Sequence, residues 1–300
     1  MKQKIWKWAS LLPLSLVLLL SGCSENMLVM RPKGPVAKTQ YDLILWSIGF
    51  MLLIIVVVFV LFTVVLIRYR EKPGMENYEP EEEGNTLLEI VWTAIPILIV
   101  TALAIPTVKA TFALEKPTKE KVEPITIHVT AANWKWIFSY PDQNIETVNY
   151  VNIPVDVPVK FKLTSVGPMN SFWVPQLGGQ KYAMDGMETE LFLEADEPGS
   201  YMGRSANFSG EGFTHMEFEV VAQTQKEFNK WVKEAQSTAP KLSETKYETI
   251  LKPGLVGRMT FSNTHLEWID HSKQNSHHAG EADEQARLCN PLEGNGIVVE

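Results

Sequence analysis

The sequence predicts a membrane-anchored chain of mixed class: a hairpin of two transmembrane helices, then an antiparallel β sandwich, then a C-terminal helical arm. Three observations support this order. Nearly all the long apolar runs lie before residue 109. Apolar and polar residues alternate with a period of two from residue 124 onward. A helical period returns after residue 224, so the chain changes class twice.

These patterns divide the chain into eight segments. In order they are a lipoprotein signal peptide (1–22), an extracellular N-terminal segment (23–42), a first transmembrane helix (43–67), a cytoplasmic loop (68–86), a second transmembrane helix (87–108), the sandwich (124–222), the arm (224–270) and a disordered acidic tail (271–300).

The composition excludes several classes of protein. A net charge of −8 provides no basic surface of the kind that nucleic-acid-binding proteins carry. The chain has only two cysteines, Cys23 and Cys289. Two such distant thiols exclude a disulfide scaffold, a zinc finger and an iron–sulfur cluster held by this chain alone. They also exclude a copper site that requires a pair of cysteines.

The N-terminus has the layout of a secretory signal. Lys2, Lys4 and Lys7 precede an apolar stretch that is too short to be kept as a transmembrane span. A small-residue pair directly before Cys23 resembles the lipobox of bacterial lipoproteins, in which the cysteine is acylated. We therefore expect a lipid anchor at Cys23 on the outer leaflet of a bacterial cell membrane. The alternative is an ordinary signal peptide followed by a chance cysteine.

Two further runs predict membrane spans. Residues 43–67 are 25 residues without a charge, long enough to cross a hydrocarbon core of roughly 30 Å with some tilt. The second run, 87–108, contains Glu89, Pro96 and Pro106. Prolines within a span need neighbouring helices or Ser/Thr groups to compensate the lost hydrogen bonds, so this helix is expected to pack against other membrane protein.

The orientation of the spans follows from the signal rather than from loop charges. Three basic residues flank the first span on each side, so the positive-inside count is a tie. An exported Cys23 would make the first span run inward. The β domain and the C-terminus would then lie outside the cell.

The sandwich is predicted from short alternating runs separated by Gly, Pro and Asn turns. His128 falls on the polar side of its run and is interpreted as a surface residue. In the arm, Thr224 and Glu227 form a possible capping box at the start of a helix. In the tail, the adjacent His277 and His278 are expected to bind metal weakly at best.

Several motifs recur in the order found in subunit II of the haem-copper terminal oxidases, a family that the chain resembles over residues 20–270. They are Leu88-Glu89-Ile90-Val91-Trp92-Thr93-Ala94-Ile95-Pro96, Trp134-Lys135-Trp136 with Tyr140-Pro141, Ser171-Phe172-Trp173-Val174-Pro175-Gln176-Leu177-Gly178 and Gly199-Ser200-Tyr201-Met202-Gly203. The resemblance implies a cupredoxin-like sandwich on a two-helix membrane anchor.

In the cytochrome c oxidase branch of this family, the cupredoxin-like domain holds a binuclear copper centre. Aligned residue by residue, its ligand positions here are Asn170, Ser205, Asn207, Ser209, Phe213 and Met216. Copper in such a site needs thiolates and imidazoles, and only the methionine is retained. Met216 is interpreted as a core residue. His215 lies two places from the histidine position, on what the pattern predicts to be a strand.

The branch that lacks this centre is the quinol oxidases, and the resemblance to them is closer. It is carried by residues 168–172, 182–189 and 205–213, and by an arm through residues 228–263. The resemblance implies a complex that oxidises menaquinol or ubiquinol, reduces dioxygen to water and pumps protons. Haems and one copper are expected in a partner, subunit I. This chain would bind no cofactor and no cytochrome c, and would contact subunit I, small membrane subunits and the lipid bilayer.

Two features of the chain each have two possible interpretations. Glu89 matches the family acid at the mouth of a proton channel, although an interfacial acid is often only a helix end. Trp134 and Trp136 are expected to pack under the sandwich or against subunit I, with a direct quinol contact as the alternative. Two other functions are also considered. A copper-bearing subunit is contradicted by the missing thiols, and a freestanding lipoprotein that serves as a binding module is disfavoured by the two spans.

Overall fold

The computed structural model describes residues 27–70, 84–119 and 121–271. Two long helices open it, α1 over Pro35–Arg68 and α2 over Thr86–Leu114. Both are long and apolar enough to cross a membrane. The signal peptide, Cys23, most of the interhelical loop and the chain from residue 272 lie outside the described residues.

Each helix is longer than the apolar run from which its span was predicted. Helix α1 begins with Gly34 as its N-cap and Pro35 in its first turn, where the fixed φ of proline favours a helix start. Its first eight residues are therefore helical, although the sequence placed them in the N-terminal segment. Helix α2 is capped by Asn85, whose Oδ1 accepts hydrogen bonds from the amides of Leu87 and Leu88.

The β domain is a sandwich of two sheets. Its strands are β1 (Ile125–Ala132), β2 (Lys135–Tyr140), β3 (Ile145–Val148), β4 (Tyr150–Pro154), β5 (Val159–Ser165), β6 (Asn170–Trp173), β7 (Lys181–Ala183), β8 (Thr189–Leu193), β9 (Gly199–Ser205), β10 (Glu217–Gln223) and β11 (Met259–Phe261). The first sheet has the order β11-β3-β2-β1-β5-β8 and the second β4-β10-β9-β6-β7.

The predicted sandwich is confirmed, and the pairing adds a detail that alternation could not supply. Most neighbouring strands are antiparallel, but β1 pairs with β5 and β4 pairs with β10 in parallel. Strand pairing depends on the connections between strands, whereas a period of two reports only that each strand has one buried face.

The core of the sandwich lies between the sheets and is built around aromatic rings. Trp136, Phe138 and Phe161 of the first sheet and Phe172 of the second are almost fully buried. The ring of Phe172 stacks on that of Phe218, with centroids 4.8 Å apart. Such ring pairs stabilise the fold beyond their buried area by about 0.5–1.5 kcal/mol each.

The C-terminal arm packs against the sandwich in two places, over the main core and on the first sheet. Helices α3 (Gln225–Thr238) and α4 (Glu244–Leu251) carry it, and the capping box predicted at Thr224 and Glu227 is confirmed. The arm is not purely helical, however, because β11 joins the sheet antiparallel to β3. A second small core forms at this contact from Ala132, Ile137, Val148, Leu242, Tyr247, Ile250 and Phe261.

The arm also extends one residue further than predicted. His271 was assigned to the disordered tail, but its side chain is buried, and its Nε2 lies 2.9 Å from the hydroxyl of Tyr247. That contact joins the last described residue to helix α4.

The membrane helices join the base of the sandwich at Glu194. The buried carboxylate of Glu194 accepts a hydrogen bond from Thr118 and lies 2.5 Å from Nζ of Lys119, just after α2. At Gly34, the N-cap of α1, a Cβ would overlap the backbone oxygen of Glu194. One residue therefore contacts the chain next to both helices.

Candidate functional site

The six positions aligned with copper ligands lie at one end of the sandwich, where β6 begins and β9 ends. Five of them lie on residues 205–216, which we call the vacated loop. The Oγ of Ser205 lies 3.4 Å from Oδ1 of Asn170, and the Oγ of Ser209 lies 4.0 Å from Sδ of Met216. The fold thus brings four of the positions into contact.

Hydrogen bonds within the chain hold this end of the sandwich. The side-chain Nδ2 of Asn170 donates to the backbone carbonyl of Pro168 at 2.8 Å. The side-chain Nδ2 of Asn207 donates to the backbone carbonyl of Met169 at 3.0 Å. The backbone amide of Ser205 donates to the carbonyl of Met216 at 3.0 Å. Hydrogen-bond donors and acceptors of the chain therefore satisfy one another at the positions aligned with the copper ligands of the cytochrome c oxidase branch.

The donor set does not fit a binuclear copper centre. Asn170 is buried and offers an amide, while Ser205 and Ser209 offer hydroxyls that stay protonated near neutral pH. The ring of Phe213 packs against Phe208, with centroids 5.6 Å apart, and has no lone pair. Thioethers are weak ligands without thiolates or imidazoles beside them. No step through such a centre can be assigned to this chain.

Met216 and His215 differ in their surroundings. Met216 is 1% exposed and belongs to the main core, as predicted. His215 was predicted to lie on a strand, and this is wrong. It ends a 3-10 turn over Phe213–His215 and is exposed, whereas β10 begins at Glu217. A turn after the glycines at 210 and 212 breaks the alternation that the sequence suggested.

Trp134 and Trp136 have separate environments. Trp136 is fully buried against Phe172 and Phe218, so it is a core residue. Trp134 is half-buried, and its Nε1 donates to the carbonyl of Ser209 at 3.0 Å. Its ring covers Gly212, where a Cβ would overlap the indole.

Glu89 lies in the first turn of α2, four residues after the N-cap Asn85. Its side chain is exposed on this chain, and Oε1 would lie 2.8 Å from a Cβ at Gly84. The carboxylate therefore turns back over the helix N-terminus, where the helix dipole stabilises a negative charge. The other predicted site residue, Cys23, lies outside the described residues.

The sequence interpretation missed a group of buried titratable side chains. Lys135, Glu146 and His265 are each at most 1% exposed, and all three lie between the sandwich and the arm. Alternation gives no sign of them, because each is hydrogen-bonded by residues far away in the sequence. Their burial became visible only from the packing of the arm.

One group of potential metal ligands occurs among the described residues, and it lies at the base of the sandwich. Asp156, Glu194 and Asp196 place carboxylate oxygens within 4.8 Å of one another. Lys119 pairs with two of these acids, at 2.5 Å from Glu194 and 3.5 Å from Asp156. The cluster is therefore explained as part of the junction with the membrane helices.

Three comparisons relate the chain to known proteins. The family model for the transmembrane domain of cytochrome c oxidase subunit II matches residues 31–110. Quinol oxidase subunit 2 of Bacillus cereus is 66% identical over 273 residues, which cover 90% of this chain and 94% of that protein. The Bacillus subtilis protein of the same name is 56% identical over 274 residues, with 90% and 84% covered. The periplasmic domain of subunit II of cytochrome oxidase from Bradyrhizobium japonicum is a solved structure with 22% identity. The match covers 40% of this chain and 94% of the solved domain, with a TM-score of 0.36.

Proposed function

Because the chain belongs to the quinol oxidase subunit 2 family, we propose that it is the second subunit of a membrane complex that oxidises quinol, reduces dioxygen to water and moves protons outward. Relatives with that name match at 56–66% identity over 90% of the chain. This similarity supports quinol oxidation rather than the copper-bearing alternative.

The observation that carries the proposal is the donor set of the vacated loop. A subunit that received electrons from cytochrome c would need a redox centre in this domain, and the loop offers only amide, hydroxyl and thioether groups. The substrate electrons would then enter elsewhere in the complex. The haems and the single copper accordingly belong to subunit I.

The role of this chain is structural. Helices α1 and α2 leave apolar side chains exposed along most of their length, and α2 contains Pro96 and Pro106. Such surfaces require either lipid or other spans. Subunit I and the small membrane subunits would cover part of them, and the bilayer would cover the rest.

The purified complex provides the test. We expect haem and one copper per complex, oxygen consumption with a quinol donor, and none with reduced cytochrome c. Metal counting on the full chain separated from its partners should give no stoichiometric copper. Rapid oxidation of cytochrome c, or two coppers retained by this chain, would contradict the proposal.

Glu89 is proposed to receive protons at the cytoplasmic end of α2. Its exposed carboxylate lies at the end of an apolar span, where a titratable group can exchange protons with water while facing a partner subunit. Glu89→Gln should reduce both turnover and proton pumping of the complex. Glu115→Gln, which removes an acid just beyond the opposite end of the same helix, is the matched control. Unchanged pumping in Glu89→Gln would remove this role.

Cys23 is proposed as the lipid-attachment site, with the sandwich on the outer side of the membrane. Labelled palmitate should be incorporated into the chain and into Cys289→Ala, but not into Cys23→Ala. Cys289 should react with an impermeant maleimide on intact cells. Labelling of Cys289 only after lysis would reverse the proposed orientation.

A further inference from the structure

The Trp134-Lys135-Trp136 motif reaches three different parts of the molecule. Trp136 packs in the core, Trp134 contacts the vacated loop, and Lys135 contacts the arm. The proposed function makes no use of the last two contacts. The three residues are consecutive, so any displacement of one backbone position displaces the others.

Lys135 is bound to the arm. Its side chain is fully buried, and Nζ donates to the carbonyl of Ile250 at 2.7 Å and to that of Lys252 at 2.6 Å. These carbonyls lie at the C-terminal end of α4. There the last carbonyls of a helix lack partners within the helix, and the helix dipole has its negative end. A buried ammonium group needs such acceptors, and charge-assisted hydrogen bonds are stronger than neutral ones.

A second hydrogen-bonded link joins the Trp134-Lys135-Trp136 motif to the arm. The side chain of Asn149 accepts from the backbone amide of Trp136 at 3.0 Å and donates to the carbonyl of Val256 at 2.7 Å. The arm therefore holds the start of β2 from two directions.

Trp134 carries the contact on to the vacated loop. Its backbone has a φ of 66°, a left-handed conformation that is unfavourable for a bulky residue. This conformation directs the indole across Gly212 and lets Nε1 bind the carbonyl of Ser209. The residue can keep it only if its neighbours are held, and its neighbour Lys135 is held by the arm.

We propose that Lys135 is a positioning residue that couples the arm to the vacated loop through Trp134, so that the arm rather than a metal holds this end of the sandwich in shape. In a metal-bearing loop, ligand bonds cross-link the segments. Here the cross-link runs from α4 through Lys135 and Trp134 to Ser209. Such coupling is reciprocal, so loosening either end should loosen the other.

Hydrogen exchange of the purified complex, followed by mass spectrometry, tests this. Lys135→Met should accelerate exchange in the arm around residues 244–256, to which its Nζ is hydrogen-bonded, and also in the vacated loop. We expect the exchange rate to rise about tenfold in each segment, which is within the range typical of coupled sites. Lys135→Arg, which keeps the charge and the donors, should restore much of the protection in both segments.

Trp134→Phe tests the other direction. It removes the Nε1 donor but keeps an aromatic ring, and it should accelerate exchange in the arm as well as in the loop. Lys241→Met, at an exposed lysine of the arm, is the control and should change neither segment. Faster exchange confined to the arm in Lys135→Met, or an unchanged arm in Trp134→Phe, would overturn the proposal. If Lys135→Met does not assemble, Trp134→Phe decides the matter alone.

Discussion

Nδ1 of His265 lies 2.6 Å from Oε2 of Glu146, and both side chains are buried. The same carboxylate oxygen accepts a hydrogen bond from the backbone amide of His265 at 3.0 Å and another from the hydroxyl of Ser139 at 2.9 Å. Glu146 belongs to β3 and His265 to the turn after β11. The pair therefore fastens the end of the arm to the sandwich.

Breaking this pair should destabilise the chain strongly. Glu146→Leu and His265→Leu should each lower the free energy of unfolding by about 1–3 kcal/mol, because each leaves a buried polar partner without its hydrogen bond. The double variant should lose less than the sum. Denaturant unfolding of the full chain in detergent measures all three. Glu190→Leu, in the partly exposed pair with Lys160, is the control, with a loss of about 0–1 kcal/mol. Additive losses would contradict the coupling.

His128 should make the sandwich sensitive to acid. His128 is half-buried, not the surface residue that the sequence suggested. Burial, reinforced by the positive charge of Lys162, lowers the pKa of His128 in the folded chain. The unfolded chain then binds the proton first, so stability is lost as the pH falls through about 6.5 towards the lower folded pKa. His128→Gln should lose less thermal stability than the wild type between pH 7.5 and pH 5.5. His215→Gln, at an exposed histidine, should behave like the wild type. Identical pH profiles for all three proteins would refute the assignment.

Gly203 of β9 should not tolerate a side chain. A Cβ at this position would overlap the ring of Phe218, which is already stacked on Phe172 in the core. Gly203→Ala should lower the free energy of unfolding by about 1–3 kcal/mol through overpacking. Gly257→Ala, where nothing lies within 4 Å of the added Cβ, should stay within about 0.5 kcal/mol of the wild type. Equal stability of the two variants would show that the ring moves freely.

Removing Glu194 should loosen the junction between α2 and the sandwich. The hydrogen bond from Lys119 to Glu194 is the main reason that the pKa of Lys119 is raised, so the bond contributes below pH 10.5 and is lost as the pH rises further. Glu194→Leu should speed tryptic cleavage after Lys119 by about tenfold at pH 7.5, which corresponds to about 1.4 kcal/mol of opening free energy. Glu190→Leu should not change the rate. A cleavage rate independent of Glu194 would mean that the helix alone protects this segment.

The sequence was most informative where one physical cause dominates. Membrane spans follow from length and hydropathy alone. The lack of thiolate and imidazole donors at 170 and 205–213 could be read from the sequence once the family resemblance had marked those positions. The start of α1 did not follow, because its first turns are polar and are stabilised by Gly34, Pro35 and contacts with the sandwich. Hydropathy cannot report a helix that continues beyond its apolar part.

The arm was the least predictable region, for a different reason. Strand β11 has three residues, too few for an alternating pattern, and it forms only because β3 offers an unpaired edge. Lys135 reads as a polar residue at a strand start, yet its acceptors lie 115 and 117 positions later. Long-range acceptors of this kind leave no local signal in a single sequence.

Helix α1 runs without interruption from its apolar middle to Pro35, and the next residue, Val36, already belongs to the sandwich core. No non-helical segment separates the apolar part of α1 from its first turn, which packs in the sandwich. A change in the tilt of α1 would therefore be transmitted directly to the sandwich.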